Sequence, residues 1–174
     1  MTVQFIAKEL KPQASDVFYL EKKLGKQLPK DYRDFISINN VAIPEANQFT
    51  NKLITTSVSK FFGISKRKGD DLIAQNEIYD GRLPKNIITI GLAGGGNLIC
   101  LRLEDGNTFF WDHEQEATEG EEPSFDNMVF LTHSFGEFLK MLQGFRVEDV
   151  VLDAENILSV VTKPGFNDKF KNYK

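Results

Sequence analysis

Apolar residues recur at helical spacing in two segments near the start of the chain. In residues 17–24 (VFYLEKKL) the aliphatic residues share one helical face, and Gly25 can end that helix in the left-handed conformation. In residues 29–36 (PKDYRDFI) the proline suits a first helical position, and apolar residues follow at i, i+3 and i+4. The Asn39–Asn40 pair stops this second helix, because asparagine tolerates left-handed backbone. The pattern predicts two short amphipathic helices that lie on a core.

The middle of the chain alternates between strand-like and helix-like segments. Residues 53–64 (LITTSVSKFFGI) are β-branched and aromatic, which predicts one or two strands. A charged segment, KRKGDD, is interpreted as a solvated turn, and a short helix is expected over residues 70–79. Residues 88–91 and 128–131 are short apolar runs that predict two further strands.

The clearest local signal lies at residues 133–144 (HSFGEFLKMLQG). Ser134 and Glu137 have the spacing of a capping box, in which each side chain accepts a hydrogen bond from the other residue's free backbone amide. The apolar residues that follow share one helical face, and Gly144 ends the run. A helix is therefore predicted directly after the strand at 128–131.

The glycine-rich stretch GLAGGGN, residues 91–97, raises the question of a phosphate-binding loop. A dinucleotide fingerprint needs G-x-G-x-x-G at the start of a helix, and a P-loop needs Gly-Lys-Ser/Thr. This chain has G-x-x-G-G-G and then Asn97, and a strand pattern follows. We therefore interpret the glycines as a tight connection between two strands, where positive φ and close backbone approach are needed.

The Asp105–Gly106 pair lies between two apolar runs, residues 98–103 (LICLRL) and 108–112 (TFFWD). Asp-Gly in this position is a strong signal for a β-hairpin. Apolar residues occupy both faces of the two arms, so both faces are expected to be buried. The hairpin is predicted at the centre of an antiparallel sheet that is covered by helices.

Three stretches, taken in order, resemble the SUKH superfamily, which includes fungal cell-wall synthesis regulators of the Smi/Knr type and many bacterial immunity proteins. They are residues 20–40 (LEKKLGKQLPKDYRDFISINN), residues 91–114 (the glycine turn through FFWDHE) and residues 130–142 (FLTHSFGEFLKML). Their order and spacing match the family, and such agreement between separate signals is specific. One departure is that the family often has Asn-Gly after the second helix, where this chain has Asn39-Asn40-Val41.

The resemblance implies an α+β fold: a mainly antiparallel β-sheet with two N-terminal helices and a C-terminal helix packed around it. A single domain is expected over residues 1–146, followed by a C-terminal extension, residues 147–174. The pattern of that extension leaves helix and strand both open, and the resemblance transfers nothing onto it.

The resemblance also implies a binding protein rather than an enzyme. Bacterial single-domain members typically sit beside a toxin gene and neutralise the toxin, often a nuclease, by direct contact. The fungal regulators carry long disordered flanks that this chain lacks, so an immunity function with a cognate nuclease toxin as partner is expected. The alternative is a regulatory scaffold that binds several protein partners.

The composition narrows the classes of partner. The 174 residues carry a net charge of −4 without a basic cluster, so direct binding to nucleic acid is not expected. A single cysteine, Cys100, excludes an internal disulfide framework and favours a reducing compartment. No apolar run approaches the roughly 18 residues of a membrane span, and the first residues lack a signal-peptide pattern. A cytoplasmic protein that makes no membrane contact is expected.

No catalytic constellation stands out, and no cofactor or metal is expected. Cys100 lies within an apolar strand, where a thiol is usually inert. His133 simply precedes the helix cap, and the stretch from Asp112 to Glu116 offers one histidine, His113, among carboxylates, which is weak support for a metal site. A small-molecule or metal-dependent enzyme is therefore a third and disfavoured hypothesis.

The segment DHEQEATEGEEP, residues 112–123, is the main candidate for partner binding. No Lys or Arg within it offsets its acidic residues, which are Asp112, Glu114, Glu116, Glu119, Glu121 and Glu122. A charge run is usually a solvated, mobile loop. An acidic patch also speeds encounter with a basic partner, and nucleases present basic faces because they engage phosphates. Trp111 is expected in the core, unless exposure at a sheet rim makes it an interface anchor.

Overall fold

A computed structural model describes residues 3–118 and 120–144 of the chain. These residues form an α+β fold, which confirms the predicted class. The helices are α1 (Ala14–Leu24), α2 (Lys30–Ile36), α3 (Leu72–Ile78) and α4 (Phe135–Met141). The strands are β1 (Phe5–Ala7), β2 (Ala42–Pro44), β3 (Gln48–Thr50), β4 (Thr55–Phe61), β5 (Ile87–Ala93), β6 (Leu98–Arg102), β7 (Thr108–Trp111) and β8 (Met128–Thr132).

The strands form one antiparallel sheet in the order β1-β2-β4-β5-β6-β7-β8, and β3 pairs with β4 away from this path. The predicted hairpin is confirmed: β6 pairs with β7, and Leu98 lies opposite Trp111. The glycines do connect β5 to β6 in a tight turn, in which Gly95 and Gly96 have φ of 74° and 87°. Glycine adopts this left-handed backbone without the steric penalty that a Cβ imposes.

The two faces of the β6–β7 hairpin lie in different hydrophobic clusters. One cluster contains Ile99, Leu101 and Phe110 from the hairpin, and all four helices contribute to it. The other cluster contains Leu98, Cys100, Phe109 and Trp111. Among the described residues, Tyr79 and Leu83, which follow α3, pack against it, whereas the expected helices are seen there only over the first cluster.

Helix ends follow the local signals with one shift. Gly25 ends α1 at φ 71°, and Ser134 caps α4 by accepting a hydrogen bond from the Glu137 amide at 3.2 Å. The second half of the predicted capping box differs, because Glu137 accepts from the backbone N–H of His133 at 3.3 Å and not from that of Ser134. The Glu137 side chain therefore also fixes the backbone of His133, the residue before the cap.

The Asn39–Asn40 pair does not end α2, which already stops at Ile36. Asn40 is instead buried and links two other segments through hydrogen bonds. Its side chain donates to the carbonyls of Leu10 and Ile64 and accepts from the Ile64 amide. Val41 follows at φ 50° with its side chain buried. A β-branched residue rarely takes this left-handed backbone, which glycine adopts without a steric penalty.

Candidate partner-binding surface

The acidic segment belongs to a loop, residues 112–127, whose two ends are joined. The backbone N–H of Asp112 donates to the carbonyl of Asn127 at 3.0 Å, and the Asn127 side chain donates to the Asp112 carbonyl, also at 3.0 Å. Asn127 is 8% exposed, so these bonds are shielded from water. The loop therefore leaves the sheet between β7 and β8 from a fixed base.

The first turn of the loop is held by the glycine connection. The Asn97 side-chain oxygen accepts from the backbone N–H of His113 at 3.1 Å and lies 2.7 Å from His113 Nδ1. A Cβ on Gly96 would lie 3.6 Å from the imidazole ring, so the ring rests against the bare glycine backbone. The glycine-rich turn thus positions the start of the acidic segment.

Arg82 holds the middle of the segment. Its guanidinium makes two parallel hydrogen bonds of 2.6 Å to the carboxylate of Glu116, the geometry in which arginine binds carboxylate most strongly. The same guanidinium lies 4.9 Å from the ring centroid of Tyr79 and 5.5 Å from that of Trp111. Hydrogen bonding from Arg82 lowers the pKa of Glu116, and the partnership raises the pKa of Arg82.

These contacts correct two sequence-based interpretations. The segment has a compensating cation after all, supplied by Arg82 from 34 positions away. Residues 112–116 are also not a free solvated loop, because Asp112 accepts from the Glu114 amide at 3.0 Å while His113 and Glu116 are held as described. The pattern of charges within the segment carried no sign of this support.

The remaining carboxylates divide into two groups. Asp112 and Glu116 are half-buried and engaged within the chain, whereas Glu114, Glu121 and Glu122 are exposed. Glu121 also accepts from the backbone N–H of Thr118 at 3.2 Å. Glu119 lies outside the described residues. The exposed carboxylates are the ones that a partner can reach directly.

Trp111 does not form part of this surface. Its side chain is 1% exposed and packs edge-on against Tyr79, with ring centroids 5.6 Å apart. The core position expected for this residue is the one observed, and the alternative of an exposed anchor at the sheet rim is wrong for this structure. Trp111 contributes to the surface only indirectly, because its ring contacts the Arg82 guanidinium that binds Glu116.

Phe125 is an exposed aromatic residue that sequence reasoning missed. It is 44% exposed, and its ring lies 5.8 Å from that of Phe109. Its carbonyl accepts from the Met128 amide at 3.0 Å, which fixes the turn into β8. The sequence could have indicated Phe125 only through its position, since it is an aromatic residue close to the acidic segment. Aromatic residues often serve as anchors at protein interfaces.

The candidate chemical groups are each accounted for by local contacts. Within residues 3–118 and 120–144 no three His, Cys, Asp or Glu side chains gather as metal ligands do. Cys100 is fully buried, and burial raises the pKa of its thiol, which disfavours the reactive thiolate. The His133 ring lies against that of Phe130 at a tilt of 56°, with ring centroids 4.8 Å apart. In the same part of the chain, no helix is long and apolar enough to cross a membrane.

Comparison with known proteins agrees with this architecture. The chain is similar to the SPbeta prophage-derived uncharacterized protein YokK of Bacillus subtilis (strain 168), with 29% identity over 148 residues. That alignment covers 74% of this chain and 73% of the Bacillus protein. A family model matches residues 11–141, which include every helix and all but the first strand described above. The chain therefore belongs to the SMI1 / KNR4 family (SUKH-1).

Proposed function

We propose that this protein is a cytoplasmic immunity protein that neutralises a cognate toxin, a nuclease, by direct protein–protein contact. The proposal assigns it no enzymatic activity, no cofactor and no direct contact with nucleic acid or membrane. It follows from the family and from one structural observation, the acidic loop 112–127 held on a rigid base.

A fixed acidic surface suits an inhibitor of a nuclease. A nuclease must bind phosphates and therefore presents cationic side chains around its active site. The exposed carboxylates of Glu114, Glu121 and Glu122 offer those cations an alternative partner and also steer the encounter. Because Arg82 and Asn97 already order the first half of the loop, less conformational entropy is lost on binding.

Co-expression with the product of a neighbouring toxin-like gene tests the proposal. We expect cells that express both proteins to survive and the two proteins to co-purify as a stable complex. Toxicity that persists despite soluble expression of both proteins would refute neutralisation. Recovery of several unrelated partners without protection would instead favour the regulatory scaffold.

Charge variants test the steering surface within that assay. Replacing Glu114 and Glu122 with Gln is expected to slow association several-fold at low salt and much less at high salt, because rim charges act mainly on the association rate. Glu45→Gln removes an equally exposed carboxylate from the β2–β3 turn and serves as the control. Equal association rates for all of these proteins would show that the loop does not steer.

A further inference from the structure

An open groove of about 810 Å³ runs beside the acidic loop. Its walls come from the end of α1, from α3, from residues 79–88 and from residues 122–125 of the loop. Apolar side chains form much of its lining, including Leu24, Ile73, Leu83, Ile87 and Phe125. A groove of this size and lining is within the range that receives a ligand or a peptide segment.

Phe125 stands in this groove as a preorganised aromatic anchor. It is the most exposed apolar residue of the lining named above, and the turn that carries it is closed by two hydrogen bonds between Ser124 and Asp126. Aromatic side chains held in this way dominate binding energy at protein interfaces, because little conformational freedom remains to be lost.

The exposed rim of the groove carries three carboxylates and two ammonium groups, an excess of one negative charge. Glu77, Asp80 and Glu122 supply carboxylates, and Lys23 and Lys85 supply ammonium groups. Lys23 is directed to its own helix, where its ammonium lies 5.5 Å from the centre of the Tyr19 ring. Exposed Asp126 lies beside Phe125 in the chain and adds a further carboxylate.

A second, smaller cavity extends the groove along the loop. It measures about 390 Å³, shares Gly81 and Pro123 with the first cavity, and includes Glu116 and Glu121 among its lining residues. Together the two cavities, which adjoin at Gly81 and Pro123, suit an extended chain better than a compact small molecule.

The geometry points to this groove as the docking site for an extended, basic segment of a protein partner. A lysine or arginine of that segment meets the carboxylates of the rim, which include those of Asp80 and Glu122, and an adjacent aliphatic or aromatic side chain packs on Phe125. The inference rests on the proposed function, since it names the surface through which the toxin is bound. Charge complementarity selects the occupant, because a net acidic rim around an apolar floor repels an acidic segment.

A peptide titration tests the groove without knowledge of the toxin. The probe is a synthetic peptide of Arg-Leu-Ser repeats, added to the full-length 15N-labelled chain, with a Glu-Leu-Ser peptide as the control. We expect amide shifts confined to α3, residues 79–88 and residues 122–127, and binding that weakens as salt is raised. Shifts scattered over the surface, or equal binding of both peptides, would overturn the inference.

Matched variants give the same test in quantitative form. Phe125→Ala and Glu122→Lys should each weaken binding of the basic peptide by about tenfold or more. The controls are Leu53→Ala, which removes an exposed apolar residue from the β3–β4 turn, and Glu45→Lys, which makes the same charge change in the β2–β3 turn. Both controls should stay within about twofold of the unmodified chain. Equal losses in all four variants would refute a specific groove.

The toxin assay separates the two proposals. If the unmodified chain protects cells and the Phe125→Ala and Glu122→Lys chains protect and bind equally well, immunity stands and the groove inference fails. If the basic peptide binds the groove but the unmodified chain neither binds nor neutralises the toxin, the groove stands as a binding site and the immunity proposal fails.

Discussion

Two buried side-chain polar atoms make no hydrogen bond within the described residues, Tyr32 Oη and Trp111 Nε1. Tyr32 is fully buried in the cluster beneath the helices, and its ring meets that of Phe135 edge-on with centroids 5.0 Å apart. A hydroxyl taken out of water without a partner destabilises the folded state. Burial also raises the pKa of Tyr32.

We predict that Tyr32→Phe stabilises the fold by about 1 kcal/mol, because it removes the unsatisfied hydroxyl and keeps the ring. Urea unfolding at neutral pH measures this change. The reverse change at a neighbouring position, Phe35→Tyr, serves as the control and should destabilise, since it adds a buried hydroxyl. A loss of stability in Tyr32→Phe would mean that the hydroxyl has a partner such as a buried water.

The same residue gives a prediction at high pH. The pKa of Tyr32 is raised in the folded chain above its unfolded value of about 10. Below about pH 10 the phenol is therefore neutral in both states and adds no pH dependence, and above that value the folded state loses stability because only the unfolded chain ionises readily. The stability difference between Tyr32→Phe and the unmodified chain should grow between pH 9 and pH 11, as followed by urea unfolding. A constant difference would contradict a buried, neutral phenol.

At the scale of elements, α3 completes an unpaired edge of β5. Strand β4 pairs with β5 at Gly91–Ala93, and the Phe62 amide donates to the Ile90 carbonyl. The Asn76 side chain then takes the place of a strand beside Thr89. Its oxygen accepts from the Thr89 amide and its nitrogen donates to the Thr89 carbonyl, both at 2.9 Å. Thr89 is fully buried, so its backbone has no access to water if this amide is lost.

We predict that Asn76→Ala destabilises the chain by about 2–4 kcal/mol, because two buried backbone groups lose their partners. Ile78→Ala, an exposed position of the same helix, should change stability by less than about 1 kcal/mol. Urea unfolding of both variants checks the prediction. Similar losses would indicate that helix packing, and not the bonds to Thr89, stabilises this edge.

The Arg82–Glu116 pair gives a prediction for the acidic loop. Its side chains are 41% and 25% exposed, so Glu116→Gln should lower global stability by less than about 1 kcal/mol. The local effect should be larger, with faster amide exchange over residues 113–118 and a changed emission of Trp111, which Arg82 contacts. Glu114→Gln, which changes an exposed carboxylate of the same loop, should leave both signals unchanged.

The pH dependence of the pair has a defined sign. The pKa of Glu116 is lowered in the folded chain, so its contribution is complete above the unfolded value of about 4.3 and is lost as the pH falls through the folded value. The Trp111 emission of the unmodified chain should therefore approach that of Glu116→Gln only below about pH 4. A change well above pH 4 would mean that the Arg82–Glu116 pair does not control this emission.

At the scale of the whole molecule, sequence reasoning succeeds where the determinant is local. The hairpin at Asp105–Gly106, the glycine turn and the cap at Ser134 each follow from a few adjacent residues. The sequence pattern does not predict strands β1, β2 and β3, because each has three residues and is too short to show an alternation of apolar and polar positions.

The candidate site depends on pairs that are distant in sequence. Arg82 meets Glu116 across 34 positions and Asn97 meets His113 across 16, so their types alone predict no contact. The groove depends on four separate segments of the chain in the same way. The acidic composition of the loop could thus be predicted from the sequence, but its fixed base and the groove beside it could not.

The boundary of the folded unit is the remaining whole-molecule prediction. Backbone bonds between Gln48 and Gln143 join β3 to the residues after α4, and the core clusters are closed by residues up to Leu142. The extension expected at residues 147–174 lies outside the described residues. Because the described residues form closed core clusters among themselves, we predict that a chain of residues 1–146 unfolds in urea at the same midpoint as the full chain. A lower midpoint would show that residues 147–174 stabilise the domain, and a larger denaturant slope in the full chain would show that they bury surface on it.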